Sequence, residues 1–279
     1  MSENSNKNSG MRGVFLTIMI LLTTSFLMFF IISKFDSTPA KGANQEGKNN
    51  QSIMSQSKEI ENTKPQREKR ADGKPVGKVV YLTFDDGPST LTGKFLDVLK
   101  ENDVKAIFFM QGSNLQNASY QENVKRAVKE GHYIGAHSMT HNSDKLYKNG
   151  QFVPEMKATL SIIQDITGTN PKLVRPPYGS APGLKSEEVR NQIVESGIKV
   201  WDWTIDSYDW KLKNNPNEII ENVKKSTTED VEVVLMHEKP QTLAVLPDII
   251  KFYKEKGYEF GVYNDADHFH LNFQKDHRL

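Results

Sequence analysis

The chain has 279 residues, 37% of them hydrophobic and 25% charged, a balance that fits a folded globular domain and excludes wholesale disorder or a polytopic membrane protein. With 36 Lys and Arg against 35 Asp and Glu the net charge is +1, so no field exists to gather nucleic acid, and no nucleic-acid partner is expected. Zero cysteines remove disulfide frameworks, thiolate zinc sites, iron–sulfur clusters and a cysteine nucleophile together, so any metal must be held by His, Asp or Glu.

In chain order, residues 1–13 form a short N-terminus carrying Lys7 and Arg12, and residues 14–32 follow without a single charge, polar only at Thr17, Thr23, Thr24 and Ser25. A helix of that length, at about 1.5 Å per residue, just crosses a hydrocarbon core of about 30 Å. The basic residues before it place the N-terminus in the cytoplasm and everything after Lys34 outside, so a single-pass cell-membrane anchor in the lipid bilayer is expected. The rival reading is a cleaved signal peptide, with Thr38-Pro39-Ala40 as a poor cleavage site and a secreted product. The run exceeds the usual length of a signal-peptide core, which favours the anchor.

Residues 33–77 are rich in Asn, Gln, Ser, Lys and Glu and hold almost no large apolar side chains, the composition of a flexible linker. Arg67, Lys69 and Arg70 read as a solvated charge run. From Lys78 to Leu279 short β-rich runs alternate with amphipathic stretches. Strands are predicted at Val79–Phe84, Ala106–Met110, His132–Ala136, Leu173–Arg175, Val200–Trp203, Val231–Met236 and Tyr258–Val262. Helical spacing appears at Phe95, Val98 and Leu99, at Ile162, Ile163 and Ile166, and at Ile249, Ile250 and Tyr253. Strands buried on both faces and separated by helices predict an α/β fold with a parallel sheet. About seven such units in ~190 residues favour a distorted, TIM-like (β/α) barrel over an open sheet.

Polar residues gather just after five of these strands: Thr83-Phe84-Asp85-Asp86-Gly87-Pro88, His137-Ser138-Met139-Thr140-His141, Arg175-Pro176-Pro177-Tyr178-Gly179, Asp206-Ser207-Tyr208-Asp209-Trp210, and Leu235-Met236-His237. Each has a bland reading. Asp-Asp-Gly-Pro is ordinary turn chemistry, His137 and His141 at i, i+4 on a helix face are more often incidental than metal ligands, and Arg-Pro-Pro-Tyr-Gly alone is a stiff loop. Together they read differently, because the C-terminal strand ends of a (β/α) barrel share one face and the five segments would converge there. Two His and a carboxylate make a metal site with an open position, a second carboxylate can serve as general base, and a separate His can protonate a departing nitrogen. An arginine would keep the base ionised, and an acidic neighbour would raise the pKa of the acid His.

These five segments, in this order, resemble the polysaccharide deacetylases, carbohydrate esterase family 4, also called the NodB-homology domain, over about residues 78–269. The resemblance implies that Asp85 is the catalytic base and that Asp86, His137 and His141 hold a divalent metal, Zn2+ by default with Co2+, Ni2+ or Mn2+ as alternatives. It implies that His237 is the catalytic acid, Arg175 the residue that positions the base, and Asp209 the one that tunes His237. The backbone N–H of Tyr178 would stabilise the oxyanion, and Trp210 and Leu235 would line the acetyl pocket. His132, His268, His270 and His277 match none of these motifs and read as surface or tail residues.

The expected activity is metal-dependent N-deacetylation of cell-wall glycan by a monomer facing the wall, with peptidoglycan N-acetylglucosamine as first choice. Behind it stand N-acetylmuramic acid, chitin oligosaccharide, poly-N-acetylglucosamine and O-acetyl esters. A glycan-binding protein without turnover and a barrel cyclic-amide hydrolase are the readings from other classes. A complete set of base, metal ligands and acid argues against the first, and the small number of His ligands against the second.

Overall fold

Residues 67–279 are described by a computed structural model of the chain; the expected span 14–32 and residues 33–66 of the expected linker lie outside the described residues. Among the described residues no helix is long and apolar enough to cross a membrane. Among the described residues eight parallel strands, β1 (Val79–Gly87), β2 (Ile107–Met110), β3 (Tyr133–Ala136), β4 (Leu173–Val174), β5 (Lys199–Val200), β6 (Ile205–Asp206), β7 (Val231–His237) and β8 (Glu259–Phe260), make one sheet, seven of them in the order β5-β4-β3-β2-β1-β7-β6 and β8 beside β1 off that path. β7 pairs with β1 along Val79–Asp85, so β8 at Val79 and Val80 and β2 from Thr83 onward divide the other edge of β1. β5 and β6, the two ends of the path, do not pair. The fold is therefore a distorted (β/α) barrel with an open seam.

Helices α1 (Thr92–Glu101), α2 (Gly112–Leu115), α3 (Ala118–Lys129), α4 (Phe152–Thr167), α5 (Ser180–Gly183), α6 (Glu187–Glu195), α7 (Pro216–Ser226) and α8 (Pro240–Glu255) connect the strands. The longer ones are amphipathic: α4 buries Phe152, Met156, Thr159 and Ile163 at helical spacing and stops at Gly168, whose φ of 72° suits glycine.

Strand alternation sorts the core into two layers. Val80, Leu82 and Phe84 of β1, Phe108 and Met110 of β2, and Val234 and Met236 of β7 face outward and pack under the helices. Val79, Tyr81, Ile107, Phe109, Leu173, Trp201, Val231 and Val233 face inward, with Tyr263 and Phe269, and fill the barrel. The inner layer is tight at Gly135 of β3, where a Cβ would sit 2.6 Å from the Leu173 carbonyl oxygen and 3.0 Å from the Phe109 ring. Only glycine fits there.

Three expectations change. The strand count is eight because Ile205–Asp206 is a two-residue strand, too short to show alternation in the sequence. Residues Arg67–Gly77, expected to end the linker, pack on the domain: Lys69 bridges Pro75, and Arg67, Lys69 and Arg70 pair with Glu259, Asp267 and Asp230. The acids that receive these cations lie far along the chain, so composition alone could not reveal them. His132 is buried, not on the surface: its Nδ1 accepts the Ala106 N–H at 3.0 Å, and its ring meets Phe108 edge-on.

Candidate active site

The inward row of the sheet changes chemistry at its C-terminal end. Val79 and Tyr81 give way on β1 to Thr83 and Asp85, and Val231 and Val233 give way on β7 to Leu235 and His237. Asp85 and His237 stand opposite each other in the β1–β7 register. His137 follows the inward Gly135 by two residues, and Arg175 follows the inward Leu173 by two, so both also face the barrel mouth. Alternation alone would turn Asp86 outward. The β1–β2 register breaks between Asp85 and Gly87, and Asp86 takes a left-handed φ of 69°, which turns its carboxylate back to the same mouth. Two consecutive aspartates thus serve one site.

Asp86, His137 and His141 form the cluster suited to a metal, their ligand atoms all within 4.8 Å of one another. Asp86 Oδ1 lies 3.7 Å from His137 Nε2 and 3.6 Å from His141 Nε2. The expected helix under the two histidines is absent. Residues 137–142 are a loop in which Ser138 and His141 have φ of 64° and 52°, and this left-handed path brings His141 back toward His137. Glu155 of α4 anchors the loop, accepting the Met139 N–H at 3.1 Å and the Thr140 N–H at 3.0 Å. His137 Nδ1 lies 2.8 Å from the Arg175 carbonyl oxygen, which can only accept, so Nδ1 carries the proton and the Nε2 lone pair is free for a cation. Burial disfavours the charged form of His137, and its pKa falls despite Asp85 and Asp86. Burial would raise the pKa of Asp86, yet His137, His237, His141 and Lys239 together hold it below the usual carboxylate value. Neutral imidazole beside ionised carboxylate is the donor set a divalent metal takes.

Asp85 is 2% exposed and Arg175 fully buried. Arg175 Nη1 donates to Asp85 Oδ1 at 2.9 Å and to Thr83 Oγ1 at 2.5 Å. Its Nη2 donates to the Asp202 carbonyl at 2.8 Å, its Nε to the Trp201 carbonyl at 3.3 Å, and its guanidinium stacks 4.2 Å from the Phe109 ring centre. Burial pushes the Arg175 pKa down and the Asp85 charge opposes that. The second oxygen of Asp85 faces the cluster, 3.7 Å from His137 Nε2.

His237 Nδ1 lies 2.7 Å from Asp209 Oδ1, and Asp209 Oδ2 accepts the His237 backbone N–H at 2.7 Å and the Thr242 hydroxyl at 2.5 Å. Burial would lower the His237 pKa, but the hydrogen bond and charge of Asp209, with Asp85 and Asp86 behind it, raise it above the ordinary histidine value.

Asp85, Asp86, His137, His141 and His237 line a cleft of about 420 Å³, with Arg175 and Asp209 buried behind it. Tyr178, with φ of 65°, sits at its edge, its ring 4.7 Å from that of His141 and its hydroxyl donating to the His141 carbonyl at 3.2 Å. Trp210 and Leu235 form a wall, Trp210 half-exposed and Leu235 buried. All ten residues singled out in the sequence therefore belong to this one place. Four contributors had no role assigned: Thr83 and Asp206, which stand within the five segments and respectively join Arg175 and line the cleft, and, outside them, Trp203, which lines the cleft, and Asp202, whose carbonyl holds Arg175. Thr83 was readable, since Val79, Tyr81, Thr83 and Asp85 share one face of a strand. The expected strand Val200–Trp203 ends at Val200 with a single bridge at Trp201, so Asp202 and Trp203 lie in an irregular stretch whose path toward the site strand alternation does not show.

A family model described as polysaccharide deacetylase matches residues 72–201. A peptidoglycan-N-acetylglucosamine deacetylase of Bacillus cereus is 51% identical over 208 residues, which cover 72% of this chain and 75% of the relative. Peptidoglycan-N-acetylglucosamine deacetylase PgdA of Listeria monocytogenes is 36% identical over 188 residues, 66% of this chain and 38% of the relative. Among solved structures, the polysaccharide deacetylase Bc1974 from Bacillus cereus aligns with a TM-score of 0.70 at 51% identity, covering 72% of this chain and 100% of that one. A Streptococcus mutans CE4 esterase aligns with a TM-score of 0.63 at 34% identity, covering 68% and 87%.

Proposed function

The chain belongs to the polysaccharide deacetylase family, and from that premise we propose that it hydrolyses the N-acetyl groups of N-acetylglucosamine in peptidoglycan, releasing acetate and leaving a free amine. The observation that carries the reading is the placement of Asp85 and His237 opposite each other on β1 and β7, beside the Asp86, His137 and His141 cluster. The substrate is taken from the similar proteins whose names give peptidoglycan N-acetylglucosamine.

A divalent cation held by Asp86, His137 and His141, zinc by default, would supply Lewis acidity to the attacking water and to the acetyl carbonyl. Asp85 takes the proton of that water as its oxygen bonds to the acetyl carbon. Arg175 fixes the Asp85 carboxylate in direction, because a charge-assisted hydrogen bond out of water is strong and directional. The backbone N–H of Tyr178 donates to the negative oxygen that develops on the carbonyl. His237, with Nδ1–H committed to Asp209, delivers the Nε2 proton to the nitrogen as the C–N bond breaks. Trp210 and Leu235 enclose the acetyl methyl.

An exported domain suits a wall substrate, and the uncharged residues 14–32 would hold it at the outer face of the membrane. The test is mass spectrometry of N-acetylated muropeptides and chitooligosaccharides after incubation with the metal-loaded domain. Loss of one acetyl group per N-acetylglucosamine supports the reading. Intact muropeptides beside deacetylated chitooligosaccharides would move the substrate, and no loss from either would overturn the reaction.

A further inference from the structure

The open seam between β5 and β6 is not left empty. Leu271, from the segment after β8, makes a parallel bridge with Trp201 just beyond β5, and the Asp202 N–H donates to the Leu271 carbonyl at 2.7 Å. Two residues on, the Phe273 N–H reaches Asp202 Oδ2 at 2.6 Å and Ser180 Oγ at 3.0 Å. The Phe273 ring packs edge-on against Trp203 at 5.0 Å. Segment 271–273 therefore stands where a closing strand would.

Asp202 is the centre of this seam. Its carboxylate is fully buried and makes no ion pair among the described residues: Oδ1 accepts the Ser180 N–H at 2.8 Å, and Oδ2 accepts the Ser180 hydroxyl at 2.5 Å and the Phe273 N–H. An aspartate so deeply desolvated is expensive, and one is retained here with three donors converging on it. Its main-chain carbonyl, on the other side, accepts from Arg175 Nη2, whose Nη1 holds Asp85. The short strands at the seam carry few ladder bonds of their own to hold that carbonyl in place. We propose that Asp202, clamped by Ser180 and by Phe273 of the closing segment, is a positioning residue for deacetylation that sets the direction in which Arg175 presents Asp85. The inference rests on the proposed activity. It adds that the segment after β8, which carries none of the five motifs, belongs to the catalytic apparatus through Asp202.

The test is a double-mutant cycle on the metal-loaded domain, reading acetate release, KM and metal content for Asp202→Asn, Arg175→Lys and both together. The amide preserves volume and, with its oxygen kept on the Ser180 N–H, presents an NH2 where Oδ2 stood, which can accept from neither the Phe273 N–H nor the Ser180 hydroxyl. Asp202→Asn is expected to lower kcat ten-fold or more with KM within about two-fold and metal content unchanged. In the Arg175→Lys background the same change should cost less than two-fold, because residues acting through one contact are not additive. A kcat within two-fold of wild type, or full additivity with Arg175→Lys, overturns the inference and leaves Asp202 a structural residue. Should Asp202→Asn not fold, Ser180→Ala, which removes one donor to Asp202, takes its place with the same criterion of non-additivity. Absence of acetate release from the wild-type domain would instead count against the proposed activity.

Discussion

Asp209 grips His237 at two points, with Oδ1 2.7 Å from the ring Nδ1 and Oδ2 accepting the same residue's backbone N–H at 2.7 Å. The ring and the main chain of one histidine are thereby fixed by one carboxylate. Replacing it by Asp209→Asn removes the negative partner that outweighs burial and raises the His237 pKa. The protonated acid is then lost at lower pH, so the alkaline limb of the kcat/KM profile should move down with the acidic limb nearly fixed. Linkage gives a second readout. A histidine whose folded pKa is raised contributes stability below the unfolded value near 6.5, and that contribution fades as pH rises through the folded value. The substitution should therefore cost more stability at pH 5.5 than at pH 8.5. A shift of the acidic limb instead would reassign the acid.

The neighbouring aspartates should separate cleanly. Asp86 faces both imidazoles of the cluster, whereas Asp85 is engaged by Arg175. Asp86→Asn should lose bound metal and activity together. Asp85→Asn should keep the metal and lower kcat by about 10² to 10⁴, the usual cost of a missing general base. Metal analysis of the two purified variants decides the matter, and retention by Asp86→Asn with loss by Asp85→Asn would exchange their roles.

His137→Ala should also empty the site, since its Nε2 is the most buried of the three donors. The domain should still unfold cooperatively, because the two apolar layers of the barrel lie below the cluster. Stoichiometric zinc in that variant, measured by atomic absorption, would show the ligand set to be different.

Much of this site was legible because each functional side chain follows a strand whose apolar residues announce it. Asp85 ends Val79–Phe84, His137 ends the run to Ala136, and His237 ends Val231–Met236. Residue chemistry at strand ends is local information. What could not be read depends on distant partners or on backbone conformation. The bulge that turns Asp86 inward, the left-handed Ser138 and His141 that replace a helix, and the acids that pin Arg67, Lys69 and Arg70 leave no periodic trace. The two-residue strand Ile205–Asp206 is invisible for the same reason: its pairing with β7 defines it, not its composition.

Gly135 offers a test of the inner layer. A methyl group there would overlap the Leu173 carbonyl and the Phe109 ring, and the first of these is backbone that cannot swing away. Gly135→Ala should destabilise the domain by about 1–3 kcal/mol, the range for overpacking a dense core. Urea unfolding followed by tryptophan fluorescence measures it. An unchanged midpoint would mean that β3 and β4 can separate at no cost.

His132 should make the fold sensitive to acid. Its Nδ1 accepts the Ala106 N–H, and its Nε2 is buried with no hydrogen-bond partner among the described residues. Burial, aided by Lys105 and Arg126 and opposed by Glu130, pushes its pKa down to about 4. Protonation would require Nδ1 to give up its role as acceptor and would place a charge beside Phe108. The folded pKa is depressed below the unfolded value near 6.5. The unfolded chain therefore takes up this proton first as pH falls, and stability declines from about pH 6.5 to about pH 4. A difference of two to three pH units corresponds to on the order of 3 kcal/mol at the acid end, at 1.36 kcal/mol per unit. His132→Leu removes the titrating group and the acceptor for Ala106, so it should be less stable than wild type at pH 7.5 while showing a flatter dependence down to pH 4.5. Parallel urea-midpoint curves for the two proteins across that range would mean that His132 titrates at its ordinary value.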